Sequence, residues 1–216
     1  MELSDTTNPS KHIAIDIDGV LRNFMDEVYN RFREEYPHLR DELIHHSRIE
    51  AFHIKHIAPD SKDVQRKIVE YAFSDPHTSY EVFRFADPYL DALSEYRRFY
   101  IQAQKHGHTV SLCSSQRTMH QKTATMDWIE AHDVPNDNVI LTSAEKGIYG
   151  FDVCIDDHVD NCLSVLENGG EAYLMMHPFN LQRRDEVFNH PNGFEVPNFE
   201  TFSQRFFSNA ESLEAA

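Results

Sequence analysis

The sequence predicts an α/β fold: a parallel sheet flanked by helices, with a small helical segment inserted after the first strand. Three observations carry that reading. Five short apolar runs punctuate the chain, at His12–Ile17, Thr109–Cys113, Asn138–Leu141, Val153–Ile155 and Glu171–Met175. Segments with apolar residues at helical spacing separate most of them. About ninety residues lie between the first two runs, far more than one βαβ crossover uses.

The elements follow in order. His12–Ile17 is short and apolar, as a strand covered on both faces should be. The stretch Asn23–Ser79 is rich in His, Arg, Glu and aromatic residues and reads as several helices. It is taken as an inserted cap of residues 23–79, with residues 1–22 and 80–216 forming the core. Ala86–Lys105 places Leu90, Leu93, Tyr96, Tyr100 and Ile101 near helical spacing, and Gly107 follows as a stop. Thr118–His132 does the same with Met119, Met126, Trp128 and Ile129, ahead of Pro135. Asn161–Asn168 makes a third helix, ended by Gly169-Gly170. Alternating strands and helices imply a parallel sheet with right-handed crossovers. The tail Ser208–Ala216 is small and polar and is expected to fray.

Composition narrows the function classes. The chain has 216 residues, enough for one sizeable core or a core with a small insertion. Hydrophobic residues make up 40%, and no apolar run reaches the length of a membrane span. Met1–Lys11 is polar and lacks a signal-peptide core. Cys113, Cys154 and Cys162 have no zinc-type spacing, and buried thiols in a reducing cytoplasm are expected. A formal net charge of −16 argues against binding duplex nucleic acid, which needs many Lys and Arg contacts to phosphate. A small phosphorylated substrate is still compatible, because a metal and one or two cations make a site locally positive.

The chemistry gathers at the carboxyl ends of the strands, where ligands bind in open α/β sheets. Asp16-Ile17-Asp18-Gly19 follows the first run, and residues two apart on a strand point to the same side. Two neighbouring carboxylates repel, so a cation is expected beside them, and magnesium suits hard oxygen ligands. Ser114-Ser115 ends the second run, Lys146 follows the third, and Asp156-Asp157 ends the fourth. Phosphoryl transfer assigns the roles. Asp16 attacks phosphorus and forms an aspartyl-phosphate. Asp18 protonates the leaving oxygen and then activates water. Asp157, helped by Asp156, holds Mg2+ together with Asp16. Lys146 neutralises a phosphate oxygen, and the Ser114 hydroxyl with nearby backbone N–H groups binds another.

These motifs resemble those of the haloacid dehalogenase superfamily of aspartate-nucleophile phosphatases, with a Rossmann-like core. The motifs are Asp16-Ile-Asp18-Gly-Val-Leu, Leu112-Cys113-Ser114, Lys146 and Ile155-Asp156-Asp157. More closely, the chain resembles the 5′(3′)-deoxyribonucleotidases. Phe24, Cys113-Ser114-Ser115, Lys122 with Trp128, and Val139-Ile140-Leu141-Thr142 ahead of Lys146 match their pattern. The acid pair stands ten and eleven residues beyond that lysine, and His177-Pro178-Phe179-Asn180 resembles a turn of many relatives. The resemblance implies a deoxyribonucleoside monophosphate substrate, magnesium and a helical cap. It also implies that Asp18 ligates the metal through its carbonyl, that Asp157 is the direct acid ligand with Asp156 in support, and that Phe24 lines the nucleoside pocket. Arg22-Asn23, Arg117 and His158 depart from the family pattern, all around the pocket.

Blander readings stand beside these. Asp16 and Asp18 could close a strand as an Asx turn. Ser115 could cap the next helix. Phe24 serves core or pocket, Trp128 reads as packing, and Lys122 and Arg183-Arg184 read as solvated. His45, His46, His53 and His56 invite a zinc site, but no Cys partner or His-Glu-x-x-His pattern accompanies them, and a cap surface is the preferred reading. The expected partner is a small nucleoside monophosphate, with no membrane, and the reading admits a homodimer. Rival activities are hydrolysis of a sugar phosphate or a polynucleotide 3′-phosphate, and phosphotransfer. A rival of another class is a catalytically silent nucleotide-binding or regulatory protein.

Overall fold

In the computed structural model, residues 9–50 and 53–214 are described, so Met1–Asn8 of the polar N-terminal segment and Ala215-Ala216 of the tail lie outside it. The sheet has six strands, all parallel: β1 His12–Ile15, β2 Thr109–Ser115, β3 Asn138–Thr142, β4 Val153–Asp156, β5 Glu171–Met175 and β6 Gly193–Val196. Their order is β3-β2-β1-β4-β5-β6, which sets β1 in the middle. Ile13 pairs with Val110 on one side and Val153 on the other. A strand enclosed by partners and covered on both faces has to be apolar throughout, and Ile13, Ala14 and Ile15 are fully buried.

The helices are α1 Phe24–Glu35, α2 Lys62–Val69, α3 Pro76–Phe85, α4 Leu90–Lys105, α5 Met119–Ala131, α6 Val159–Glu167, α7 Arg184–Phe188 and α8 Phe199–Glu214. Short 3-10 turns join α1 to α2, and a π-helical turn, Glu70–Ser74, leads from α2 toward α3. Helix α3 runs across positions 79 and 80, where the sequence reading divides cap from core.

Three expectations differ from what the chain does. The first strand ends at Ile15 instead of Ile17, because the backbone leaves the ladder after Asp16 N donates to Ile155 O at 3.0 Å. Helix α4 begins at Leu90 rather than Ala86, since Pro88 disfavours helical backbone at the residue before it. The C-terminal stretch from Ser208 continues α8 to Glu214 in place of a frayed tail. That helix is anchored by Phe199, Phe202 and Phe206, whose rings stand 5.2–5.7 Å from that of Phe99 in α4. Each buried aromatic of this kind contributes about 1.5–3 kcal/mol.

The stripe of α4 that packs inward is Leu93, Tyr96, Phe99 and Ala103, while Leu90 and Ile101 face solvent. Two main apolar clusters result. One joins the sheet to α4, α5 and α8 and includes the fully buried Trp128. The other lies within residues 24–83, and Ala124 and Phe179 are its buried members from elsewhere. Trp128 is a packing residue, as expected, and its Nε1 donates to Ala86 O at 2.7 Å. The three cysteines are buried free thiols.

Candidate active site

The site forms where β1, β2 and β4 end. After Ile15 the chain folds into a closed turn in which Leu21 N and Arg22 N both donate to Ile17 O, and Gly19 N donates to Arg22 O. Gly19 has φ of +77°, and a Cβ there would lie 1.8 Å from Asp157 Oδ2. Only glycine combines that backbone with that approach. The turn therefore sets Asp16 and Asp18 against the end of β4.

Lys146 reaches the same point from a 3-10 turn after β3. Gly147 N donates to Ser164 Oγ at 2.8 Å, which seats that turn on α6. The Lys146 side chain is fully buried, with Nζ 2.7 Å from Asp16 Oδ1 and 2.5 Å from Asp156 Oδ2. Asp156 also accepts from His158 N at 2.8 Å and from Asn161 Nδ2 at 3.0 Å, so both its oxygens are engaged. Asn180 Nδ2 donates to Asp157 O and to Met175 O, and His177 Nε2 lies 2.7 Å from Gly19 O. The His177–Asn180 turn thus braces the backbones of Gly19 and Asp157.

The electrostatics are those of a site short of positive charge. Carboxylate oxygens of Asp16, Asp156 and Asp157 lie within 4.8 Å of one another. Burial pushes the Asp16 carboxyl up to about 7, against the pull of Lys146 and with added repulsion from Asp156 and Asp18. Asp157 is driven well above the usual carboxylate range by burial, then by Asp16 and Asp156. Burial alone would lower the pKa of Lys146, but Asp156 and Asp16 outweigh it and hold the ammonium charged. Three buried carboxylates against one ammonium leave an excess of negative charge. Their all-oxygen donor set fits a hard divalent cation such as magnesium.

A cavity of about 720 Å3 opens beside these groups. Asp16, Asp18, Gly19, Ser114 and Asp157 lie along it, and Phe24 and Phe73 form part of an aromatic wall. Phe24 lines this cavity and is also a core residue: it is 7% exposed, belongs to the second apolar cluster and packs on Phe83 at 4.6 Å. Ser115 is exposed at the cavity, and the cap of α5 is Thr118, in a capping box with Gln121. Ser114 Oγ faces Asp18 Oδ2 at 3.4 Å. Arg117 and His53 also line the cavity. His45 lies 3.3 Å from Asp26 Oδ1, and the side chain of His46 falls outside the described residues. Lys122 is half-buried on α5.

Two side chains join Asp18 that sequence reasoning did not assign to the site. Arg22 Nε and Nη2 donate to Asp18 Oδ1 and Oδ2 at 2.7 and 3.0 Å. Gln116 Nε2 donates to Asp18 Oδ2 at 3.0 Å. The available signal for Arg22 was its departure from the pattern of relatives. Gln116 carried none.

The fold is shared with haloacid dehalogenase-type hydrolases. A haloacid dehalogenase-like family hydrolase from Streptococcus pneumoniae superposes with a TM-score of 0.59 at 13% identity, covering 91% of this chain and 98% of that one. The L-2-haloacid dehalogenase of Xanthobacter autotrophicus gives 0.54 at 11% identity, with 91% and 98% covered. A predicted phosphoglycolate phosphatase from Haemophilus somnus gives 0.56 at 11% identity, again with 91% and 98% covered. No curated protein sequence matches the chain. The class is a haloacid dehalogenase-type phosphatase, a hydrolase of phosphomonoesters. Within it, the family described as 5' nucleotidase, deoxy (pyrimidine), cytosolic type C protein matches residues 10–191, and the chain belongs to that family. Among the described residues, no helix is long and apolar enough to cross a membrane.

Proposed function

We propose that the chain is a magnesium-dependent 5′(3′)-deoxyribonucleotidase that releases phosphate from deoxyribonucleoside monophosphates through an aspartyl-phosphate. One observation carries the reading. The buried Lys146 ammonium joins Asp16 to Asp156, and Asp16 and Asp157 line an aromatic-walled cavity large enough for a nucleotide. The family description supports the deoxyribonucleotide and a cytosolic setting.

Asp16, the carboxylate that both pairs with Lys146 and lines the cavity, is the nucleophile. Its lone pair forms the new bond to phosphorus as the bond to the leaving oxygen breaks. Asp18 gives that oxygen a proton and afterwards takes one from water. Lys146 and the Ser114 and Ser115 region receive the phosphate oxygens. Asp16, Asp157 and the Asp18 carbonyl would hold Mg2+, with Asp156 in support. Bound there, the ion supplies charge neutralisation for the doubly negative phosphate. The helical segment over the cavity, residues 23–79 with the rest of α3, is the substrate cover, with Phe24 against the nucleoside. Closing the cover excludes water during attack.

The test is phosphate release from a panel of 5′- and 3′-deoxyribonucleoside monophosphates, ribonucleotides, sugar phosphates and 3′-phosphorylated oligonucleotides, with and without Mg2+. Deoxyribonucleoside monophosphates are expected to show the highest kcat/KM. Asp16→Asn is expected to abolish turnover with an unchanged circular dichroism spectrum. A sugar phosphate as best substrate, or normal turnover by Asp16→Asn, would refute the reading.

A further inference from the structure

Arg22 is fully buried, and its guanidinium is held on every side. Nε and Nη2 take the two oxygens of Asp18, Nη1 donates to Phe83 O at 2.7 Å, and Nη2 also donates to Thr125 Oγ1 at 3.2 Å. The rings of Phe83 and Trp128 lie 5.0 and 5.3 Å from its Cζ. Removing such a charge from water is costly unless it is paired and hydrogen-bonded, and here both conditions are met. The fork of the guanidinium matches a carboxylate in a way that an ammonium cannot.

The pair is asymmetric. Arg22 has no exposed side-chain surface, whereas Asp18 keeps 24% and lines the cavity. Gln116 Nε2 and Ser114 Oγ converge on the Asp18 oxygen that Arg22 Nη2 already holds. The other oxygen accepts one bond, from Arg22 Nε. A carboxylate offers about four acceptor positions, so that oxygen retains capacity toward the cavity.

We propose that Arg22 is a positioning residue for Asp18, fixing the acid at the cavity edge for transfer of its proton to the leaving oxygen. The inference rests on the reading of Asp18 as the acid. As an Asp16 oxygen bonds to phosphorus, the bond to the leaving oxygen breaks and the Asp18 proton passes to it. The carboxylate left behind is the species that the Arg22 fork and Gln116 receive. Because Phe83 O takes Nη1 and the Phe83 ring lines the cavity, the same guanidinium ties Asp18 to a wall of the substrate site.

The experiment compares kcat/KM, which covers only the steps through departure of the leaving group, for two substrates. 4-Nitrophenyl phosphate releases a group that departs without a proton. A deoxyribonucleoside 5′-monophosphate releases an alkoxide that needs one. Asp18→Asn is expected to lower the nucleotide value about 100-fold or more and the nitrophenyl value far less. Arg22→Met is expected to show the same selectivity, and Arg22→Lys a weaker form of it. Equal losses on both substrates, or no loss, in the Arg22 variants would overturn the inference and leave Arg22 a tie between α3, α5 and the turn. If Arg22→Met does not fold, Arg22→Lys decides by the same criterion. An unselective Asp18→Asn locates the failure one step earlier, in the role of Asp18, and brings down the inference about Arg22 with it.

Discussion

The ammonium of Lys146 lies 2.7 Å from Asp16 Oδ1, with 0% and 7% of the two side chains exposed. Their positions in the chain are 130 residues apart, so the pair exists only in the folded state. It links the end of β1 to the turn after β3 and, among the described residues, supplies the one ammonium paired within the group of three buried acids.

Lys146→Met should therefore damage stability and turnover together. Removing one partner of a buried pair leaves uncompensated charge, at a cost of about 3–5 kcal/mol. Chemical denaturation in magnesium-free buffer measures that loss, and added Mg2+ should restore part of it. Phosphate release should fall by roughly 100-fold or more, as when a preorganised cationic or hydrogen-bonding group is removed from a reacting oxygen. Unchanged stability would mean that Asp16 and Asp156 do not depend on this ion pair.

Asp157→Asn separates the metal from the fold. Asp157 is buried among like charges, so a neutral amide should raise the melting temperature measured in chelator. The wild type should gain stability on adding Mg2+, by about 2.7 kcal/mol at a hundred times the Kd. The variant should lose most of that gain. Equal Mg2+ responses in the two proteins would remove Asp157 from the metal site.

Gly19→Ala combines strained backbone with a collision against Asp157. The left-handed conformation alone costs about 1–2 kcal/mol for a residue with a Cβ. Gly107 has a similar φ of +73° and open space around it, so Gly107→Ala is the control for backbone strain. Both variants should melt earlier, but only Gly19→Ala should shift the Mg2+ dependence of turnover to higher concentrations. A matched shift in Gly107→Ala would deny the role of the close approach.

His108 provides a pH dependence away from the reaction centre. It is 5% exposed, its Nδ1 accepts from Lys11 N at 3.2 Å, and the Phe206 ring stands against it at 5.5 Å. Burial lowers its pKa below the ordinary value of about 6.5, His106 and Lys11 add to the shift, and Asp152 opposes it. The unfolded chain then binds the proton more readily than the folded one. The His108 contribution is intact above the unfolded value and is lost as pH falls from there through the folded value. His108→Gln should flatten the slope of melting temperature against pH on the acid side of 6.5. An identical slope would place the effect elsewhere.

Most of the sheet and the four corners of the site could be read from the chain because each strand carries its polar group at its own end. Asp16, Ser114 and Asp156 each sit next to an apolar run, and Lys146, a few residues beyond the third run, is marked by its spacing to the acid pair. Strand β6 was missed because Gly193-Phe194-Glu195-Val196 is an edge strand, with glycine and a charge in four residues. Helix α8 was missed in part because its final residues are polar, and its hold on the protein comes from Phe199, Phe202 and Phe206 upstream. The partners of Asp18 were hidden for another reason. Gln116 stands 98 positions away from it, and the one-turn spacing of Arg22 reads as an ordinary surface pair until burial is known.

The separation of the two main apolar clusters has a consequence for how the protein can change. Residues that form the aromatic wall of the cavity, such as Phe24 and Phe83, pack within their own cluster and not with Ile13, Ile15 or Val153 beneath the acids. Substitutions that retune which molecule is admitted can accumulate there while the strands beneath the acids stay as they are. One arrangement of acids is thereby compatible with more than one clientele.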